Sequence, residues 1–291
     1  MTIYHYTTIE TLELILKNKN IRFNRLDQVD DPDEYIHGSG PKDTKLGQYT
    51  FVSCWTKQMK ENADLWKRYT DNRGVRIGLP EELFETYQYG DGFKSFFKKP
   101  MDFGYDYMAT PFNNPAKLYD VVYLDEQEAK IKGLLIPVGG SGALIETEQI
   151  GIYKKTEWNI QEESRFKINV CPFDPSRLRP DFSGFVEAIT DTISLVRDKR
   201  IEESKALEFF ISKVINKGIL NNFLCDMASQ IGPSIGNQYE LKEKSIYLPL
   251  KDGVLDNIEV MMGPQTTKKD IDRVEELLKG IPNHKIVFSQ L

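Results

Sequence analysis

The sequence predicts an α+β fold: one mixed sheet carrying helices, with a helical insertion late in the chain. Three observations lead there. Short β-prone runs lie near both ends, so strands from the two ends meet in one core. Segments with helical spacing separate them. Between about 183 and 225 the spacing is helical alone. With 40% hydrophobic and 11% aromatic residues among 291, a sizeable core can form. No internal repeat or long linker divides the chain, so 1–291 reads as a single domain with 180–235 as its insertion.

Ile3 to Thr7 alternates as a short strand does, and Thr7-x-x-Glu10 reads as a capping box for a helix with Ile9, Leu12, Ile15 and Leu16 on one face. That helix should stop near Asn18 to Asn20, before a strand at Ile21 to Phe23. "YTFVSCW", Tyr49 to Trp55, is β-prone. Asn62 is a candidate N-cap for a helix presenting Leu65, Trp66 and Tyr69, with Gly74 as its stop. Val75, Ile77 and Leu79 alternate as a strand, and Pro80-Glu81-Glu82 suits a further helix start. "KLYDVVYLD", "SIYLPL", "NIEVMMGP" and "HKIVFS" are strand-like, and Ile271, Val274, Leu277 and Leu278 form a helix face. Within the insertion, Phe185, Val186, Ile189, Ile193 and Val196 repeat at helical spacing, as do Leu207, Phe210, Ile211, Val214 and Ile215.

The net charge of −6 argues against general nucleic-acid binding. Three cysteines without C-x-x-C pairing fit a reducing compartment. With neither a signal peptide nor an apolar run of membrane-spanning length, the expectation is a cytoplasmic protein with no membrane partner.

Three constellations could carry chemistry. Asp27, Asp30, Asp31, Asp33 and Glu34 offer hard oxygen ligands, but not at the spacing of a calcium loop, and His5, His37 and His284 have no zinc-like pairing. We expect no metal. Gly139-Gly140-Ser141-Gly142-Ala143 sits between an apolar run and "LIETEQIG", the strand–turn–helix setting of a hydrolase nucleophile, although Ala143 replaces the last glycine. The third is "EWNIQEESRFKINV". A strand from about Ile160 would place Gln161, Glu163, Arg165 and Lys167 on one face. The plain reading is a solvated face on which Arg165 neutralises Glu163.

"YHYT" at Tyr4 to Thr7, "DDPDE" from Asp30, "VSCW" from Val52, "LWKRYTDNRGVRIGL" from Leu65, W-x-x-Q-x-E-x-R from Trp158 and "IEVMMGP" from Ile258 occur in that order. Together they resemble the bacterial domain-of-unknown-function family 2971 across nearly the whole chain. The chain departs from that family's usual pattern at Asp30 and Gln161. A more distant resemblance is to ADP-ribosyltransferase-like proteins: Tyr4-His5-Tyr6-Thr7 is similar to their Y-H-G-T opening, Ser53 to their middle serine, and Gln161-x-Glu163 to their Gln/Glu-x-Glu motif. Tyr6 stands where many relatives carry glycine.

This second resemblance implies an enzyme that cleaves the nicotinamide–ribose bond of NAD and passes ADP-ribose to an acceptor: protein, nucleic acid or small molecule. Glu163 would stabilise the oxocarbenium-like sugar, as carboxylates do in glycoside hydrolysis. Gln161 would orient the acceptor. His5 would hydrogen-bond the adenosine ribose or phosphate side. Tyr6, Thr7 and Ser53 would line the dinucleotide cleft with Arg165, and Trp55 or Tyr69 would stack on nicotinamide. The competing expectations are a nucleotide-binding or partner-docking module without turnover, as in a bacterial defence or stress system, and a serine hydrolase using Ser141.

Overall fold

A computed structural model describes residues 1–30, 45–89, 93–99, 101–125, 135–138, 142–145, 147–174, 176, 182–202, 205–206, 209–210 and 229–291. The fold class is as expected: α+β, built on a mixed and mostly antiparallel sheet. We number the nine strands of that sheet β1 (Thr2–Thr7), β2 (Asn20–Arg25), β3 (Thr50–Thr56), β4 (Val75–Pro80), β5 (Leu118–Asp120), β6 (Glu163–Asn169), β7 (Ser245–Pro249), β8 (Glu259–Met262) and β9 (Lys285–Phe288). Helices among the described residues include α1 (Ile9–Asn18), α2 (Ala63–Thr70), α3 (Phe182–Arg197) and α4 (Lys268–Leu278).

Strand β3 is the hub. Along one edge it pairs with β6 over its whole length, from Glu163↔Thr56 to Asn169↔Thr50. On the other edge it meets β2 at Val52 and Phe51, and β1 only through Tyr4↔Thr56. Strand β1 then turns fully to β4, from Thr2↔Pro80 to Thr7↔Val75. Among the described residues no strand is registered against Ser53, Cys54 and Trp55 on this second edge, so the sheet is split there. One face carries the apolar core, with Ile3, Phe51, Ile77, Leu79, Phe166 and Ile168 almost wholly buried.

Several boundaries differ from expectation, each for a backbone reason. The β1–β4 ladder runs on to Thr7, so the α1 cap moves one residue to Thr8, whose hydroxyl accepts the Thr11 N–H. No helix starts at Pro80: the Glu81 N–H bonds the Met1 carbonyl and keeps the chain extended. Asn62 does cap α2, accepting from Asp64 and Leu65 N–H, but the helix stops at left-handed Asp71 before Gly74. Gly74 is needed elsewhere, since a Cβ there would lie 2.2 Å from the Thr7 carbonyl oxygen.

The hydrolase setting is corrected. Gly142–Ile145 is a strand paired antiparallel with Leu135–Val138, not the helix an elbow requires. Ser141 itself lies outside the described residues, as do Asp31, Asp33, Glu34, His37, Leu207, Ile211, Val214 and Ile215. Asp27 bonds the buried Arg25 guanidinium at 2.6 and 2.8 Å, a structural use of the acidic stretch. Among the described residues no His, Cys, Asp and Glu cluster could hold a metal ion, and no helix is long and apolar enough to cross a membrane.

Candidate functional site

The split between β1 and β3 holds a cleft that leaves about 70 Å³ accessible to the centre of a water molecule. Six of the sequence-derived site residues line it: His5, Tyr6, Trp55, Tyr69, Gln161 and Glu163. Tyr4, Cys54, Thr56 and Leu65 complete the wall.

These groups come from opposite faces of the sheet. Directly paired residues share a face, so Tyr4, Thr56 and Glu163 stand abreast across three strands. His5 and Trp55 belong to the other, core-facing side, their rings 5.1 Å apart. Only the missing ladder beside Cys54 brings both sets to one opening. His5 also answers the backbone accounting there, because its Nδ1 lies 2.8 Å from the Cys54 carbonyl oxygen that no strand partner claims. A carbonyl can only accept, so Nδ1 carries the proton. Burial outweighs that hydrogen bond and lowers the His5 pKa, so the ring is neutral near pH 7 with Nε2 an acceptor.

The Q-x-E pair is built differently from the expected strand. Thr156–Gln161 forms a 3₁₀ turn, Glu162 takes a left-handed conformation (φ 39°), and β6 starts only at Glu163. Both side chains nevertheless meet one cation. Lys154 Nζ donates to Gln161 Oε1 at 2.7 Å and to Glu163 Oε2 at 2.8 Å. Arg165 donates from Nε to Glu163 Oε1 at 2.5 Å and from an Nη to Oε2 at 3.0 Å. The expected neutralisation of Glu163 by Arg165 is therefore present, but not on a solvated face: every residue of β6 is buried.

Lys154 is the residue the sequence reading missed. Its ammonium also lies 4.9 Å from the centre of the Trp158 ring, so Trp158, Gln161 and Glu163 of the W-x-x-Q-x-E-x-R motif surround it. Burial alone would lower its pKa, but the Glu163 carboxylate prevails and raises it. Lysine donates only, which fixes the Gln161 amide with Nε2 towards Tyr69, whose hydroxyl accepts it at 2.8 Å. Burial, reinforced by Cys54, Glu163 and Asp30, raises the Tyr69 phenol. Burial also pushes the Cys54 thiol well up, with Glu163 adding to it, so it is a poor nucleophile.

Three expected site residues are elsewhere. Ser53 is buried and its Oγ accepts the Trp55 indole N–H at 3.0 Å, fixing that ring. Thr7 closes β1 against Val75. Arg165 lies behind Glu163, fully buried, and also donates to the Gly151 carbonyl at 2.8 Å. Tyr6 reaches the cleft, but its hydroxyl accepts the Asn62 N–H and its ring packs edge-on against Trp66.

The arrangement offers a buried, strongly held carboxylate, an amide of fixed orientation, a neutral imidazole and aromatic walls. Comparison with family models, curated proteins and solved structures finds no match, so both resemblances rest on the motifs quoted above.

Proposed function

We propose that the protein is an NAD-dependent, ADP-ribosyltransferase-like enzyme. The observation that carries this reading is convergence: His5 and the Gln161–Glu163 pair, from two distant parts of the chain, line one aromatic-walled cleft in the split sheet. In the reaction the bond between ribose C1′ and the nicotinamide nitrogen breaks, and its electron pair leaves with neutral nicotinamide. The sugar carbon becomes oxocarbenium-like beside the Glu163 carboxylate, whose charge opposes the developing positive charge. An acceptor nucleophile, or water, then bonds to C1′ and releases its proton to solvent.

A second reading has its own support. Glu163 already accepts three charge-assisted hydrogen bonds, from Arg165 and Lys154. A carboxylate so engaged suits a nucleotide-binding module without turnover. Nicotinamide release from NAD separates the two, using purified protein with and without cell lysate beside Glu163→Gln. Release by wild type alone supports the enzyme. Thermal stabilisation by NAD without release supports the module, and neither effect in folded protein removes both.

A further inference from the structure

Tyr69 and His5 of the cleft each keep a hydrogen-bonding position with no partner among the described residues. The first is the Tyr69 O–H. Lys154 turns the Gln161 amide so that Nε2 donates to the Tyr69 oxygen, which occupies a lone pair and leaves the phenolic proton unassigned among the described residues. The second is His5 Nε2. Because Nδ1–H is committed to the Cys54 carbonyl and the ring is neutral, Nε2 is a lone pair without a described donor. The remaining walls are largely apolar or aromatic, with Tyr4, Trp55 and Leu65 among them.

One donor and one acceptor on aromatic walls complement a planar ring that bears an amide. The amide oxygen needs a donor and its N–H needs an acceptor. A carboxylate in the same place would meet the His5 lone pair and be repelled. Resting on the NAD reading, we propose that the cleft selects the nicotinamide carboxamide, with the Tyr69 hydroxyl donating to its oxygen and His5 Nε2 accepting from its amide nitrogen. This gives His5 a different partner from the ribose or phosphate side that the resemblance implies. It makes Lys154 and Gln161 positioning residues, since they hold the Tyr69 oxygen in the acceptor role.

The test is calorimetric binding of NAD and of 3-acetylpyridine adenine dinucleotide, which keeps the carbonyl and replaces the amide nitrogen by a methyl group. Wild type should bind NAD more tightly by roughly 3- to 10-fold, the range of one neutral hydrogen bond. His5→Asn retains a donor for the Cys54 carbonyl and lacks Nε2, so it should abolish the preference. Tyr69→Phe should weaken both ligands by a similar factor and leave the preference intact. Equal binding of the two dinucleotides by wild type, a comparison that requires no variant to fold, overturns the proposal, as does a preference that survives in His5→Asn. If wild type binds neither dinucleotide, the NAD reading fails and this inference with it. If NAD binds but the ligand pattern is absent, the inference alone fails.

Discussion

Glu163→Gln keeps the shape of the side chain and removes its charge. In the folded protein Glu163, Arg165 and Lys154 are 7, 0 and 6% exposed. One negative and two positive groups give this trio a net charge of +1, and the substitution raises it to +2. Breaking a buried ion pair by removing one partner costs about 3–5 kcal/mol, because a charge is left uncompensated. Lys154→Met takes the trio to zero instead. It forfeits the bonds to Gln161 and Glu163 but also removes a charge that folding must desolvate, so about 1–2 kcal/mol is expected. The double variant retains Arg165 as the single cation and should be destabilised by less than the sum, with a coupling of about 1–3 kcal/mol. Urea unfolding at pH 7, followed by circular dichroism and tryptophan fluorescence, measures all three. The reasoning is refuted if Glu163→Gln costs no more than Lys154→Met, or if the two effects simply add. The same data show whether a loss of nicotinamide release in Glu163→Gln is separate from loss of fold.

Three further outcomes follow from the geometry. Burial, aided by Arg165, lowers Lys167 to a pKa of about 7, while its amine donates to the Glu148 and Ile150 carbonyls. The unfolded chain then binds more protons above pH 7, so stability due to this group should rise with pH, by on the order of 2 kcal/mol between pH 7 and 8.5. Subtracting the Lys167→Met unfolding curve from wild type isolates it, and a flat difference would sink the argument. Asn62→Ala removes the α2 cap and the bond from Asn62 Nδ2 to the Ile160 carbonyl, so about 1–2 kcal/mol should be lost in a denaturant titration. Asn62→Asp should recover the cap portion, and equal losses in both variants would contradict the assignment. Ser53→Ala strands the buried Trp55 indole N–H, so thermal melts should show a loss of about 1–2 kcal/mol while nucleotide binding stays within twofold. A selective loss of binding would instead restore Ser53 to the site.

What the sequence made legible was set by local rules. Alternation placed β1 and β4, helical spacing placed α1 and α4, and side-chain chemistry placed the Asn62 cap. Errors arose where distant backbone decided the outcome, as when the ladder to Val75 extended β1 through Thr7 and the Met1 carbonyl kept Glu81 extended. Six residues named from motifs line the cleft, whereas Ser53 and Arg165 lie behind its wall. Lys154 had no signal: nothing in "KKTEW" distinguishes it from Lys155, and only the 3₁₀ turn with left-handed Glu162 folds it back onto Gln161 and Glu163.

The hub position of β3 also bears on how the chain reaches this state. Thr56 bonds the Glu162 carbonyl 106 residues further on, and the whole of β6 must arrive before that edge of β3 is covered. During synthesis the first half of the chain therefore waits with "FVSCW" as an open strand, apolar and free of charge, which is the kind of segment that pairs with other chains. The cleft cannot exist in that waiting state, because Gln161, Glu163 and Lys154 have not yet been made. Any activity the site supports is thus a report on the joining of β6 to β3, and that closure is where a chaperone would have most to protect.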